Sequence, residues 1–528
     1  MASDSTTPTA GNENDIYVVS VDIGSTTMRC FIVDADAKFI AVAVQPIEYL
    51  RPQHGYVELD PEVIWNQFVQ VVKDAMKKAG ISVSQVSSMG ISLARGTFTS
   101  WHRDTGEIFH PLISWQDTRA TEVAKAMNKG SMFRTLSAGS RFLHTVTRDK
   151  RFLAAAVIEF KSMHMCIRAN WVLNNMPGIK ELAEQDKLLM GTLDTFLLWR
   201  LSNGKVFATD CSNASATAFY DPFTLGWSSI SCQLMGLPIT ALPTVVHTSG
   251  HICTSEESIF GGPIEVHCVV ADQQAAAFGQ MCWDPLQVKC TLGTGSFLDV
   301  VTHAPHASAT GIYPVVGWRI GDEVTYMAEG TATSTGSCVE WAQQMGWFED
   351  VKDTSDIAKS VEDSNGACFV PAFSGIEAPY KDEWACCSVL GLKPNTKREH
   401  LVRAMLESFA FRISQLLDIC TKELGYRPES IRVDGGVSRN DFLLQTIADL
   451  TSCRIQRVDC KETSALGAAF FAGLSSGFWK SKEDLQGKVT FTDEFVPEPE
   501  NKTRLVAAFD LWESAVQRSL KWYKDTNV

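Results

Sequence analysis

Nowhere does the sequence hold an apolar run approaching the roughly 18 residues that a membrane helix needs, so no transmembrane segment is expected. Its 15 cysteines include no Cys-x-x-Cys pair and no short Cys/His cluster, which argues against a zinc ribbon or a disulfide framework and for a reduced, cytoplasmic setting. Positive charge is scarce as well: 47 Lys and Arg against 61 Asp and Glu leave a net charge of -14. No basic stripe is available to neutralise a phosphate backbone, which excludes a nucleic-acid partner, although a local pocket can still take a nucleotide with its metal. The start, MASDSTTPTAGNEND, is polar and acidic, unlike a secretory or mitochondrial signal, and residues 1–14 read as a disordered tail.

What is present points to a globular α/β protein. A chain of 528 residues is too long for one core, and two or three domains are expected. Residues 265–299, EVHCVVADQQAAAFGQMCWDPLQVKCTLGTGSFLD, organise the rest: strand, acidic turn, helix, strand, Gly-Thr-Gly turn. The apolar run 266–270 ends at Asp272, and the small residues that follow suit a helix packed closely on a neighbour. Asp272 is expected at a helix N-cap, at the carboxyl end of a buried strand, where doubly wound folds place ligands. Amides there favour the ionised carboxylate, which could accept a proton; the plainer reading is a cap and nothing more.

Residues 16–46 read as three strands, the last two separated by DADAK. The turn of Gly24, Ser25, Thr26 and Thr27 offers hydroxyls and amides enough to surround a phosphate, and Asp22 before it suits Mg²⁺, held directly or through water. Residues 60–80 follow a helical period through Val63, Phe68, Val71, Val72 and Met76, with Asp60 and Pro61 as cap and first turn. A buried strand over 89–93 leads to Arg95, whose fork could donate to a hydroxylated substrate or sit in a surface ion pair. Residues 131–187 mix helical runs, a basic patch (Arg148, Lys150, Arg151) and methionines that read as core filler. Asp210 and Asn213 read as turn formers. Gly330 and Gly336 are expected to let a ligand approach the backbone. Residues 400–424 read as a long amphipathic helix. Beyond it, Gly435 and Gly436 follow a strand and precede a helix, where a planar group can lie against the chain and phosphate is favoured. The strand-turn plan near residue 20 recurs near 290, which suggests two similar halves.

In order and spacing, Asp-x-Gly-Ser-Thr-Thr near the start, Gly-Thr-Gly-Ser in the middle and Val-Asp-Gly-Gly towards the end resemble the two phosphate turns and the adenosine turn of the actin, Hsp70 and sugar-kinase superfamily. With ISWQDTRA, GTLDTFLLWRL, ATDCSNAS, VADQQAAAFGQ, TLGTGSF, VPAFSGIEAPY, GLKPNTKREHLVRAMLES and RVDGGVSRNDFLLQ, the chain from about 16 to 525 resembles the FGGY carbohydrate kinases, within them the glycerol kinase branch and its divergent animal members. The resemblance implies an α/β fold of two actin-like, ribonuclease H-like ATPase domains with an active-site cleft between them. Residues 15–262 would form the polyol and phosphate side and 263–528 the nucleotide side. It implies ATP- and Mg²⁺-dependent phosphorylation of a small polyol, glycerol first. By motif position Asp272 would take the hydroxyl proton, while Arg95, Trp115, Gln273 and Phe297 would bind the acceptor. Ser25, Thr26, Thr27, Arg29 and Thr294 would surround the phosphates; Gly336, Gly436 and Asn440 would meet the adenine nucleotide, and Asp22 would serve the metal. The oligomeric state stays open, a homo-oligomer included.

Departures from the branch fall mostly on the acceptor side. Ala94, Arg95 and Gly96 stand where it carries Gln-Arg-Glu, so a charge-assisted hydrogen bond to glycerol of roughly 1.5 to 3 kcal/mol is missing. Restoring it with Gly96→Glu is expected to lower the KM for glycerol. The branch's substrate-facing Tyr falls near Met163, Ala271 replaces the Gly before the catalytic Asp, and Glu340 replaces a nucleotide-side Gln. A glycerol or glycerol-like kinase is the first reading. The alternatives are a kinase for another small polyol or ketose, and an ATP-binding scaffold without catalysis.

Overall fold

Residues 15–524 are described by a computed structural model and divide into two compact units. The first holds residues 15–281, 315–326 and 462–489, and the second holds 282–314, 327–461 and 490–524. The tail expected over residues 1–14 lies outside the described residues.

In the first unit the apolar runs of the N-terminal third become a sheet. Tyr17–Ile23 (β1) pairs antiparallel with Thr27–Val33 (β2), which pairs antiparallel with Phe39–Pro46 (β3). On its other side β1 runs parallel to Val86–Leu93 (β4), and β4 parallel to Glu265–Ala271 (β5), giving the order β3-β2-β1-β4-β5. Pro61–Ala79 (α1) starts where its cap was expected: Asp60 accepts from the amides of Glu62 and Val63. Val63, counted in the apolar stripe, faces solvent, and its neighbour Ile64 is buried instead. The weakly patterned middle folds into Ser131–Thr147 (α2), Lys150–Val157 (α3), Met165–Asn175 (α4) and Ile179–Glu184. The loop expected around Asp210 is a short helix, Cys211–Ser215 (α5), with Asp210 as its N-cap. At Asp272–Gly279 (α6) the cap is Ala271, so Asp272 is the first helical residue and lies one position further in than expected.

The second unit repeats the plan. Val288–Leu292 (β6) pairs antiparallel with Ser296–Thr302 (β7), beyond which lie the second-unit residues of Glu323–Ala332 (β8). Ser430–Asp434 (β9) and Arg454–Val458 (β10) lie parallel on the far side of β6. Lys289 and Asp299, on β6 and β7, form an ion pair of 3.1 Å with both side chains fully buried. Gly336–Gln344 (α7) follows β8. Arg398–Leu424 (α8) is buried on most of its circumference and encloses even the Arg403–Glu407 pair, so the expected apolar stripe widens into a central helix. A Cβ on Gly330 would lie 2.9 Å from Ile312 and 3.2 Å from Leu416, so this glycine makes room for core side chains, not for a ligand.

The chain returns to the first unit with Thr463–Ser476 (α9) and ends in the second with Pro499–Ser519 (α10). A Cβ on Gly467 would lie 1.8 Å from the Ala275 carbonyl oxygen, and one on Gly279 would lie 2.2 Å from that of Thr463. Glycines thus bring α6 and α9 backbone to backbone. With the β4–β5 pairing, this crossing puts residues 263–281 in the first unit, whereas the sequence division had them open the second. Both units are α/β sheets of the same ribonuclease H-like strand order, as the sequence implied. Among the described residues no helix is long and apolar enough to cross a membrane.

Candidate functional site

Three adjacent parallel strands of the first unit end together. Asp22 is at the end of β1, Arg95 just beyond β4 and Asp272 just beyond β5, with the Ala94 amide tied to the Ile23 carbonyl at 2.9 Å. Asp22 reaches the surface in part, but its Oδ1 is buried and has no hydrogen-bond partner among the described residues. Burial first, and then the charge of Asp272, push the Asp22 carboxyl up to about 7; Ser92 and Arg29 pull the other way. Two carboxylates that sense each other at the mouth of a sheet are a common sign of a site that handles cations or protons.

Asp272 is held from several sides. Its Oδ1 accepts from the Gln273 amide at 2.8 Å, and Ser464 donates to its carbonyl at 3.2 Å. The amide of Ala271 donates to Ser212 Oγ at 2.9 Å, and Ser212 Oγ donates to Asp210 Oδ1 at 2.9 Å. Asp210, fully buried, also accepts from the amides of Ser212 and Asn213, from Asn213 Nδ2 and from Thr248 Oγ1. Asp210 and Ser212 therefore anchor the peptide that carries Asp272, a role that "turn former" understates.

Beside β1, the turn at 24–27 closes through the Gly24 amide on the Thr27 carbonyl at 3.0 Å, leaving Ser25 half-buried and Thr26 exposed. Arg29 is paired with Glu462, the residue that precedes α9. A phosphate drawn to Arg29 would have to compete with that carboxylate.

The residues expected on the acceptor side are organised by a group the sequence reading passed over. Arg168 of α4 is fully buried, and its guanidinium donates to the carbonyls of Gly96 and Met163 at 2.8 Å, of Ile113 at 3.0 Å and of Ser114 at 2.5 Å. It clasps the segments that carry Arg95 and Gly96, Trp115, and Met163; burial lowers its pKa to about 10. An arginine between Ile167 and Ala169, on the buried face of a helix, is the signal that could have found it. Gly96 has φ +78°, and a Cβ there would lie 3.5 Å from Arg168 Nη2. Met163 contributes its carbonyl to this clasp, and its side chain is exposed. In the Gln-Asp-Thr-Arg run after Trp115, Asp117 accepts from the Val57 amide at 2.7 Å and pairs with Arg119, whose guanidinium lies 3.7 Å over the Tyr56 ring. That run is framework beneath Trp115.

In the second unit three glycine turns converge. A Cβ on Gly336 would lie 2.6 Å from the Gly293 oxygen, and one on Gly435, at φ +91°, would lie 2.5 Å from the Leu292 oxygen. The amides of Thr335 and Ser337 donate to the Thr294 carbonyl at 3.1 and 3.2 Å, and Thr291 Oγ1 donates to Asp434 at 2.5 Å. Thr294 and Gly436 are exposed at this meeting point, and Phe297 is half-buried on β7. Asn440 is already engaged: it caps the helix Asp441–Thr451 through the Leu443 amide and donates to Thr354 Oγ1, both at 2.9 Å. Glu340 is exposed on α7. The sequence-derived residues thus fall into two sets. Asp22, the 24–27 turn, Arg29, Arg95, Trp115, Asp272 and Gln273 belong to the first unit, and Thr294, Phe297, Gly336, Gly436 and Asn440 to the second.

Comparison with known proteins agrees with this layout. Residues 17–279 match the FGGY family of carbohydrate kinases, N-terminal domain, and residues 288–476 its C-terminal domain. A Danio rerio protein named glycerol kinase 5 is 44% identical over 518 residues, covering 97% of this chain and 98% of its own. A glycerol kinase of Caldanaerobacter subterraneus subsp. tengcongensis is 34% identical over 512 residues, covering 96% and 99%. Among solved structures, Plasmodium falciparum glycerol kinase with ADP aligns at TM-score 0.85 and 26% identity, over 96% of this chain and 98% of that one. On these matches, the chain belongs to the FGGY family of carbohydrate kinases.

Proposed function

We propose that this protein is a glycerol kinase, transferring the γ-phosphoryl group of ATP to a terminal hydroxyl of glycerol to give glycerol 3-phosphate and ADP. The reading is carried by the carboxylate pair at the sheet mouth: Asp272, anchored through Ala271, and Asp22, whose acidity Asp272 perturbs. Names of relatives support the acceptor, since both the animal and the bacterial relative are called glycerol kinases.

Phosphoryl transfer leaves a protein little covalent chemistry to do and much alignment. Asp272 would accept the proton of the attacking hydroxyl, with Gln273, Arg95, Trp115 and Phe297 orienting the polyol. Ser25, Thr26, Thr27, Arg29 and Thr294 would meet the phosphates, and Gly336, Gly436 and Asn440 the adenine nucleotide. Through Gly336 and Gly435, which have no side chain to intrude, the nucleotide-side turns keep a surface of bare backbone. The residues present fit Mg²⁺: the unpartnered Oδ1 of Asp22 is a buried carboxyl oxygen whose ionisation a cation would favour. When bound, that ion would offset charge developing on the transferred group. Among the described residues no group of three or more His, Cys, Asp and Glu could hold a metal, so the remaining ligands would be water and phosphate oxygens.

Gly96 favours a second reading, a kinase for another small polyol or ketose, because no side chain there can accept from a glycerol hydroxyl. The test is ADP release over a panel of polyols and ketoses. Turnover with glycerol well above that with the other acceptors supports the first reading, and the reverse order the second. ATP binding with no transfer to any acceptor would leave only a scaffold.

A further inference from the structure

Phe142 and Val146 are 68% and 66% exposed, and both lie on α2, which has no buried residue along its whole length. At about 100° per residue, Met132, Leu136, Phe142, Leu143 and Val146 form one apolar arc roughly 120° wide. Phe133, Ser137, Ser140 and His144 turn inward; Ser137 donates to the Ala156 carbonyl of α3 at 2.8 Å. Arg134, Arg141 and Arg148, seven residues apart, line the side opposite the arc. From 123 to 148 the chain holds five Lys or Arg and not one Asp or Glu, within a protein of net charge -14. Of the acids flanking this stretch, Glu122 pairs with Lys125 at 3.0 Å, Asp149 caps α3, Asp221 pairs with Arg151 at 2.7 Å, and Glu159 is exposed.

We propose that α2 is an interfacial anchor that seats this kinase on an anionic lipid bilayer. The apolar arc enters the boundary between headgroups and acyl chains, with the helix parallel to the surface, and the arginines stay on its water side within a Debye length of the lipid charge. An apolar face of this size on a helix with basic residues opposite is the pattern of such helices. Charge decides between possible occupants. A second copy docked through the same face would set two basic helices against each other, whereas anionic lipid complements them.

The experiment is co-sedimentation of the full chain with vesicles of phosphatidylcholine containing about a third phosphatidylserine, beside phosphatidylcholine alone. Wild type is expected to bind the anionic vesicles, and less so as salt rises. The double variant Phe142→Glu, Val146→Glu should lose binding by at least about tenfold, as should Arg134→Gln, Arg141→Gln, Arg148→Gln, with turnover in solution unchanged. No wild-type binding to the anionic vesicles overturns the proposal. So does a wild-type dimer that the Glu variant converts to monomer without any change in vesicle binding, since a second copy then covers the face.

Discussion

Replacing Asp22 with Asn should make the metal-free protein more stable at neutral pH. Burial pushes the carboxyl from its ordinary 3.8 up to about 7 in the folded chain, so the stability it contributes is present in full below about pH 4 and is lost as pH rises through about 7. That difference corresponds to at most about 4 kcal/mol, less because part of Asp22 reaches water. Asp194, also buried and raised to about 6, titrates in the same window, so the informative quantity is the difference between the two proteins. Urea unfolding without divalent cations should show Asp22→Asn more stable than wild type by a few kcal/mol at pH 8 and nearly equal to it at pH 4. Adding Mg²⁺ with ADP should close the gap by stabilising wild type alone. If the two proteins keep the same pH dependence, Asp22 is an ordinary surface carboxylate and its pairing with Asp272 has no energetic content.

Other outcomes follow from neighbouring residues. Arg168→Lys keeps the charge but cannot span four carbonyls, and is expected to raise the acceptor KM by about tenfold with the ATP KM unchanged; a rise in both would mean the clasp serves the whole fold. Gly336→Ala puts a methyl 2.6 Å from the Gly293 oxygen, and should raise the ATP KM while leaving the acceptor KM alone. Gly96→Glu carries a cost the sequence did not reveal: at φ +78° a side chain costs about 1 kcal/mol or more, so the variant should melt a few degrees lower even as its KM for glycerol falls. An unchanged KM would mean that the missing acid does not limit glycerol recognition.

The parts of the fold that were legible in the sequence are those that local chemistry dictates. The 60–80 helix announced its cap through Asp60 and Pro61; β1, β5, β6 and β9 announced themselves as apolar runs that end at Asp or Gly, and β4 as one that leads into Arg95. Asp22, Asp272 and the glycine turns were readable because a charge or a Gly at a strand end is locally anomalous. What escaped was non-local. The placement of 263–281 rests on Gly279 and Gly467, far apart in sequence, meeting across two helices. Arg168 looked like one more charge in a region without clear period, and only the fold shows it reaching back to Gly96 and Ile113. Asp210 was read as a turn because its five donors come partly from Thr248, and its link to Ala271 crosses some 60 residues. The outward-facing arc of α2 was blurred because it lies in a stretch of mixed helical runs whose methionines, Met132 among them, read as core filler.

The most direct measurement is the pre-steady-state rate of ADP formation with saturating glycerol and MgATP, wild type against Asp272→Asn. The amide keeps size and shape but is no general base, so the rate should fall by about 10² to 10⁴-fold with nucleotide affinity unchanged. Equal rates for the two proteins would contradict the assignment of Asp272 as the group that takes the hydroxyl proton.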